Sequence, residues 1–139
     1  MPIHVDITSQ DRCVFSGEAD MVVVPGTAGE MGILPHHSPL LSTLRMGVVT
    51  VKTPEGDQIF TVAGGIVEVQ PDSVIILADA AENVMEIDTQ RADAARQRAE
   101  ELLSKAIPQD TDTYLALQSA LRRSNLRLDA VKKYKKSQQ

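Results

Sequence analysis

The chain has 139 residues, a formal net charge of −5, one cysteine and four aromatic residues, none of them tryptophan. This is one domain, or one domain with an appendage; the lone Cys13 excludes an internal disulfide framework and any zinc site built on two or more cysteines. Four rings are too few for a base-stacking surface, and no apolar run approaches the ~18 residues of a transmembrane helix.

The start, Met1-Pro2-Ile3-His4-Val5-Asp6, lacks the basic and apolar segments of a signal peptide, so a soluble protein of a reducing compartment is expected. The charge is unevenly spread. Residues 1–87 hold three basic residues against twelve acidic, a net of −9, whereas residues 88–139 hold eleven against seven, a net of +4. Within 121–139 the balance is seven to one, a net of +6. Two parts of opposite sign suggest two modules with different partners.

In chain order, Ile3, Val5 and Ile7 alternate with polar residues, which predicts a half-buried strand. Met21-Val22-Val23-Val24 is a β-branched run stopped by Pro25-Gly26. Val48–Lys52 and Ile59–Val62 flank Thr53-Pro54-Glu55-Gly56, a type I turn pattern, and so predict a hairpin. Ile66–Val69 and Val74–Leu77 flank Gln70-Pro71-Asp72-Ser73 and predict another. Short strands with Pro/Gly turns and no βαβ alternation point to a β-sandwich or barrel.

The composition changes near Met85, and a domain boundary is expected at 84–88, giving modules 1–84 and 85–139. From Asp88, a plausible N-cap, to Ile107 there is no Gly or Pro. Ala92, Ala95, Ala99, Leu102 or Leu103, and Ala106 recur at helical spacing and form a small-residue face. Pro108 is expected to end this helix. After the link Gln109–Asp112, capped by Thr111 or Asp112, a second helix over 113–134 carries Tyr114, Leu117, Leu121, Ser124, Leu128 and Val131 on one stripe. The short link predicts an antiparallel hairpin, with a polar tail after it.

The candidate chemistry is sparse. His36-His37 are adjacent, and on a strand they would point to opposite faces, a poor arrangement for one metal ion. Ser38 has no nucleophile elbow around it. The glycines at 26, 29, 32, 64 and 65 lack the phosphate-loop and dinucleotide fingerprints, and they read as turns and close approaches. Arg91 and Arg98 are two helical turns apart, and Arg123 and Arg127 one turn apart. Folded back as a hairpin, the two pairs could converge on phosphate oxygens; the plainer alternative is two solvated charged faces paired with Asp93, Glu100 and Glu101. The basic second helix lacks bulky membrane anchors, and an acidic protein surface suits it best.

The stretch Pro25-Gly26-Thr27-Ala28-Gly29-Glu30-Met31-Gly32-Ile33-Leu34-Pro35-His36-His37-Ser38-Pro39-Leu40-Leu41 resembles the signature loop of the epsilon subunits of F-type ATP synthases. The resemblance continues through Leu44–Gly47, Gly64–Val69, Val74–Glu82 and Ile87-Asp88-Thr89-Gln90-Arg91-Ala92, and so spans nearly the whole chain. It implies an α+β fold, mainly β: a ten-stranded sandwich or flattened barrel followed by a two-helix hairpin. It implies a non-catalytic rotor subunit of the proton-translocating complex, with no required cofactor. The partners implied are the gamma subunit, the c-subunit ring and the alpha/beta catalytic head, and the place is peripheral, on the cytoplasmic face of a bacterial membrane.

By the same resemblance, Glu30, Met31, Gly32 and His37 dock on the rotor. ATP, as a regulatory ligand of the folded hairpin, is implied at Glu82, Asp88, Arg91, Ala92, Arg98, Arg123 and Arg127. The raised hairpin inhibits ATP hydrolysis by meeting an acidic segment of the beta subunits, with Arg122, Arg123, Lys132 and Lys133 as the implied contacts. The alternative is a free-standing ATP-sensing module built on the same hairpin.

Overall fold

A computed structural model describes residues 2–105 and 111–135. Ala106, Ile107, Pro108 and the link residues Gln109 and Asp110 lie outside the described residues, as does the tail from 136. The chain forms two compact units, residues 1–83 and 84–139.

The first unit is built of β1 (Ile3–Thr8), β2 (Cys13–Ala19), β3 (Met21–Gly26), β4 (Gly29–Ile33), β5 (Leu40–Thr53), β6 (Gly56–Val69), β7 (Ser73–Ala78) and β8 (Ala81–Asn83). They form one sheet in the order β2-β1-β7-β6-β5-β3-β4, with β8 also on β6. All pairings are antiparallel except β1 on β7, where His4 to Thr8 run alongside Ser73 to Leu77. The alternation read in β1 holds: Ile3, Val5 and Ile7 are fully buried, and His4, Asp6 and Thr8 are partly exposed.

The sheet curls into two layers. β2 and β6 stand three places apart, which in a flat sheet is ~14 Å. Yet the rings of Phe15 on β2 and Phe60 on β6 have centroids 5.6 Å apart, tilted by 60°. Between the layers lies one core, which includes Ile3, Val22, Ile33, Val49, Phe60 and Ile76. Each such side chain contributes ~1.5–3 kcal/mol by leaving water.

Eight strands are present among the described residues, not the ten expected. Runs that read as separate strands are parts of one. Ile59–Val62 and Ile66–Val69 both belong to β6, and β5 likewise runs unbroken for 14 residues. The two keep a single register from Leu40↔Val69 to Thr53↔Gly56. Gly64-Gly65 bends β6 instead of ending it. There β6 passes from pairing with β7 (Gly65↔Ala78) to pairing with β8 (Val62↔Ala81). Gly65 has φ 136°, and a Cβ there would collide with the Leu77 carbonyl. The amide of Asp79 donates to the Gly64 carbonyl at 3.0 Å and closes the step.

The second unit opens on a 3-10 turn, Val84–Glu86, followed by α1 (Thr89–Lys105), α2 (Thr111–Ala130) and a π-helical turn, Val131–Lys135. Asp88 caps α1 as expected: its Oδ1 accepts from the Arg91 amide at 3.1 Å, and its carbonyl accepts from Ala92 at 3.0 Å. The helices pack on each other. Ala92 and Ala99 are buried, and Leu103 rather than Leu102 continues their stripe, since Leu102 is 46% exposed. Buried alanines let the helix axes approach closely. α2 begins at Thr111, two residues before the expected start, and its stripe from Tyr114 through Ser124 to Leu128 is half-buried or buried.

Two predictions follow from the first unit. Gly65→Ala combines a left-handed backbone with a backbone collision and should cost about 2–4 kcal/mol in urea unfolding; an unchanged midpoint would mean that the bend does not depend on this residue. The second concerns His4, whose Nδ1 lies 3.2 Å from Glu18 Oε1 and whose Nε2 lies 3.2 Å from Asp6 Oδ1. The hydrogen bond to Glu18, aided by Asp6 and opposed by partial burial, raises the imidazole above its ordinary 6.5. A raised folded value stabilises fully below the unfolded pKa, and the gain is lost as pH rises through the folded value. His4→Gln should therefore lower the melting temperature near about pH 5.5 and leave it unchanged near about pH 9; a pH-independent difference would remove the ion-pair account.

Candidate functional site

Arg91 and Arg98 are exposed on α1, and Arg123 is exposed and Arg127 half-buried on α2. Each of the four stands one residue before a member of the packed stripe. Arg91 precedes Ala92, Arg98 precedes Ala99, Arg123 precedes Ser124 and Arg127 precedes Leu128. One residue is ~100° of helix rotation. All four arginines are therefore offset by the same angle, in the same sense, from the surface that joins the helices. In an antiparallel pair with facing stripes, equal offsets lead to one side of the hairpin. The two pairs thus share a flank, and nothing in the alanine and leucine periodicity requires them to be arginine.

Arg96 shows what happens on the opposite flank of α1. Its Nη2 lies 2.7 Å from Asp93 Oδ1 and its Nη1 3.1 Å from Glu100 Oε1. Hydrogen bonding to Asp93, with the charge of Glu100 beside it, raises its pKa further above the ordinary arginine value. Two carboxylates of its own helix neutralise this cation locally. The side chains of Arg91 and Arg98 make no such pair among the described residues. Arg123 is held differently again: its Nη1 donates to the hydroxyl of Ser119 at 3.0 Å. Serine is a neutral acceptor and leaves the guanidinium charge intact.

The remaining expected nucleotide residues divide between the units. Asp88 sits at the N-terminus of α1, where its carboxylate is occupied by the cap. Ala92 is fully buried, so its small size serves helix packing. Glu82 is half-buried on β8 of the first unit, opposite Thr61.

Glu30, Met31 and Gly32 occupy consecutive positions on the edge strand β4. Glu30 and Gly32 are exposed, and Met31 packs partly on the core. The turn before them, Gly26 to Gly29, is tied to β5 by Thr27, whose amide donates to the Thr43 carbonyl at 3.1 Å and whose hydroxyl meets the Thr43 hydroxyl at 2.9 Å. His36 and His37 lie in the β4–β5 loop and not on a strand. His36 has φ 68°, and its amide donates to the Pro71 carbonyl at 2.7 Å, which fastens the loop to the β6–β7 turn. The half-buried His37 places Nδ1 2.7 Å from the Ser38 carbonyl. Among the described residues no cluster of three His, Cys, Asp or Glu is placed to hold a metal ion.

Arg122, Lys132 and Lys133 are exposed. Arg122 and Arg123 are neighbours on a helix and point ~100° apart, so the four basic residues of the implied inhibitory contact do not form one flat face. Lys133 Nζ lies 5.2 Å from the centre of the Tyr134 ring.

Sequence reading missed three features. One is the Ser119–Arg123 contact, detectable in principle as a polar residue four before an arginine. Another is the His4–Glu18 pair with Asp6, which depends on the β1–β2 register. The third is an apolar outer patch where Leu41, Ile66 and Leu77 are 68%, 39% and 48% exposed on neighbouring strands. Beside it runs a groove of about 430 Å³ lined by Pro39, Leu40, Leu41, Glu68 and Gln70. The signal for the patch was present: Ile66-Val67-Glu68-Val69 and Val74–Leu77 put apolar residues on both faces of a strand.

Comparison with known proteins agrees across both units. Residues 2–84 match the family model described as the ATP synthase delta/epsilon chain β-sandwich domain, and residues 85–132 the corresponding long α-helix domain. The chain is 52% identical over 105 residues to the ATP synthase epsilon chain of Bordetella parapertussis, covering 75% of each. It is 42% identical over 134 residues to that of Polaromonas naphthalenivorans, covering 96% of each. Its fold is similar to a chain in the Euglena gracilis mitochondrial ATP synthase, with a TM-score of 0.67 at 18% identity, covering 99% of this chain and 82% of that one. A chain in the Tetrahymena thermophila mitochondrial ATP synthase central stalk and c-ring gives 0.57 at 14% identity, covering 94% and 97%. Among the described residues no helix is long and apolar enough to cross a membrane. With both of its domains matched in order and close relatives over nearly its full length, the chain belongs to the ATP synthase delta/epsilon chain family, and the relatives it matches are epsilon chains.

Proposed function

We propose that the chain is the non-catalytic epsilon subunit of the central stalk of a proton-translocating F-type ATP synthase, peripheral to the cytoplasmic face of a bacterial membrane. Its sandwich docks on the gamma subunit and the c-subunit ring, with Glu30, Met31, Gly32 and His37 at the contact, and couples rotation to ATP synthesis. The ordered match of both domains supports this reading, and the edge position of β4 leaves Glu30 and Gly32 open to a partner.

The hairpin binds ATP in its folded state and inhibits hydrolysis when released. The observation that carries the nucleotide part is the common flank of Arg91, Arg98, Arg123 and Arg127, four cations of which none needs to be arginine for packing. Guanidinium groups match phosphate oxygens with paired donors, and a triphosphate offers several such oxygens and a matching negative charge. Within the second unit, Asp88 is the carboxylate proposed for the polar edge of the nucleotide. A ligand that prefers the folded hairpin stabilises it by RT ln(1 + [L]/Kd), so falling ATP frees the hairpin. Once raised, its basic residues Arg122, Arg123, Lys132 and Lys133 meet an acidic segment of the beta subunits in the alpha/beta head.

Calorimetric titration of the chain with ATP should give saturable one-to-one binding, with Arg98→Ala or Arg127→Ala weakening it about 10-fold or more, as expected for a lost charge-assisted hydrogen bond. Absence of heat at millimolar ATP would sink the nucleotide reading and leave the rotor reading standing. In the reconstituted complex, alanine at positions 122, 123, 132 and 133 together should raise ATP hydrolysis; unchanged inhibition would remove the electrostatic account of the raised state.

A further inference from the structure

Four arginines of the hairpin illustrate three settings of a guanidinium group. Arg96 is clamped by the carboxylates of Asp93 and Glu100, and the pair cancels its charge. Arg91 and Arg98 extend from α1 without a side-chain partner among the described residues. Arg123 is held by a neutral group, the hydroxyl of Ser119, at 3.0 Å.

The consequences differ. An arginine has five N–H donors. The Ser119 bond uses one of them, on Nη1, and leaves the Nε/Nη2 edge complete. That edge is the fork that fits two phosphate oxygens. A free arginine must lose side-chain rotamer freedom when it binds, whereas one already held loses less. A neutral holder orders the fork and keeps its charge, which a carboxylate holder cannot do.

We propose that Ser119 is a positioning residue for the phosphate site: its hydroxyl holds Arg123 in the orientation that receives the nucleotide. The proposal rests on the nucleotide reading above and adds to it a residue that the four-arginine flank does not contain. Ser119 is half-buried and lies one helical turn before Arg123, in the direction in which helical side chains lean.

The test is a calorimetric titration of the full chain with ATP in four variants. Ser119→Ala should weaken binding about three-fold, because it removes the ordering of Arg123 and no direct contact with the nucleotide. Ser119→Thr, which keeps the hydroxyl, should restore it. Ser119→Asp should weaken binding more than Ser119→Ala, because a carboxylate orders Arg123 but cancels its charge. In an Arg123→Ala background, Ser119→Ala should have no further effect. The melting temperature without nucleotide should be no lower for Ser119→Ala than for Ser119→Thr, because alanine is the better helix former, so weaker binding by Ser119→Ala would not be a general loss of helix stability. If wild type binds and Arg123→Ala weakens binding while Ser119→Ala binds as wild type or tighter, the positioning role is wrong and the nucleotide reading stands. If wild type does not bind ATP, both are wrong.

Discussion

The register of β5 on β6 is the constraint on which the first unit is built. Two strands of 14 residues run side by side without a slip, so a single pairing fixes the position of every other strand. β3 is laid on the outer side of β5, β7 on the other side of β6, and β8 on the continuation of β6 beyond the glycine bend. A one-residue slip would turn Val49, Val51, Phe60 and Val62 from the core to the surface. The bend at Gly64-Gly65 is what allows so long a hairpin to serve both layers. Without it the strands would continue straight, and Phe15 could not reach Phe60.

Much of this was legible in the amino-acid sequence. The period-two pattern of β1, the two hairpin turns, the Asp88 cap and the alanine stripe of α1 are local signals, each produced by residues within one or two turns of chain. What was not legible came from pairing at a distance. β2 and β4 are edge strands with glycine and charge in their runs, and β8 has only three residues. Their extended form is imposed by a neighbour rather than by their own propensity. The double glycine read as a break because glycine interrupts apolar runs in both cases, and only the backbone approach of Leu77 distinguishes a bend from an end.

The candidate site was legible in its residues but not in its electrostatics. Seven- and four-residue spacing identified the arginine pairs. It could not show that Arg96, which shares α1 with Arg91 and Arg98 and has the same chemistry, is neutralised while they are not. The difference lies in neighbours three and four residues away on the same helix: Asp93 and Glu100 for Arg96, Ser119 for Arg123. Charge counts over a whole segment therefore do not say which cations a helix offers an anion. The +4 of residues 88–139 already subtracts Asp93, Glu100 and Glu101, but it does not show that these acids sit on Arg96 and Lys105 and not on Arg91 or Arg98.

The parallel pairing of β1 with β7 also sets an order of events during synthesis. The first strand to leave the ribosome pairs across residue 4 with residue 73, and at ~5–20 residues per second that partner follows about 3–14 s later. β2 alone is available to β1 in the interval, and an isolated two-stranded hairpin is barely stable in water. The sandwich is thus committed late, through contacts remote in sequence, while the helical hairpin folds from local ones. During the wait Ile3, Val5 and Ile7 are exposed on a strand still lacking its second neighbour, an invitation to pair with another nascent chain. The alternation that buries one face of β1 in the finished fold also protects it beforehand, because His4, Asp6 and Thr8 keep the other face hydrated.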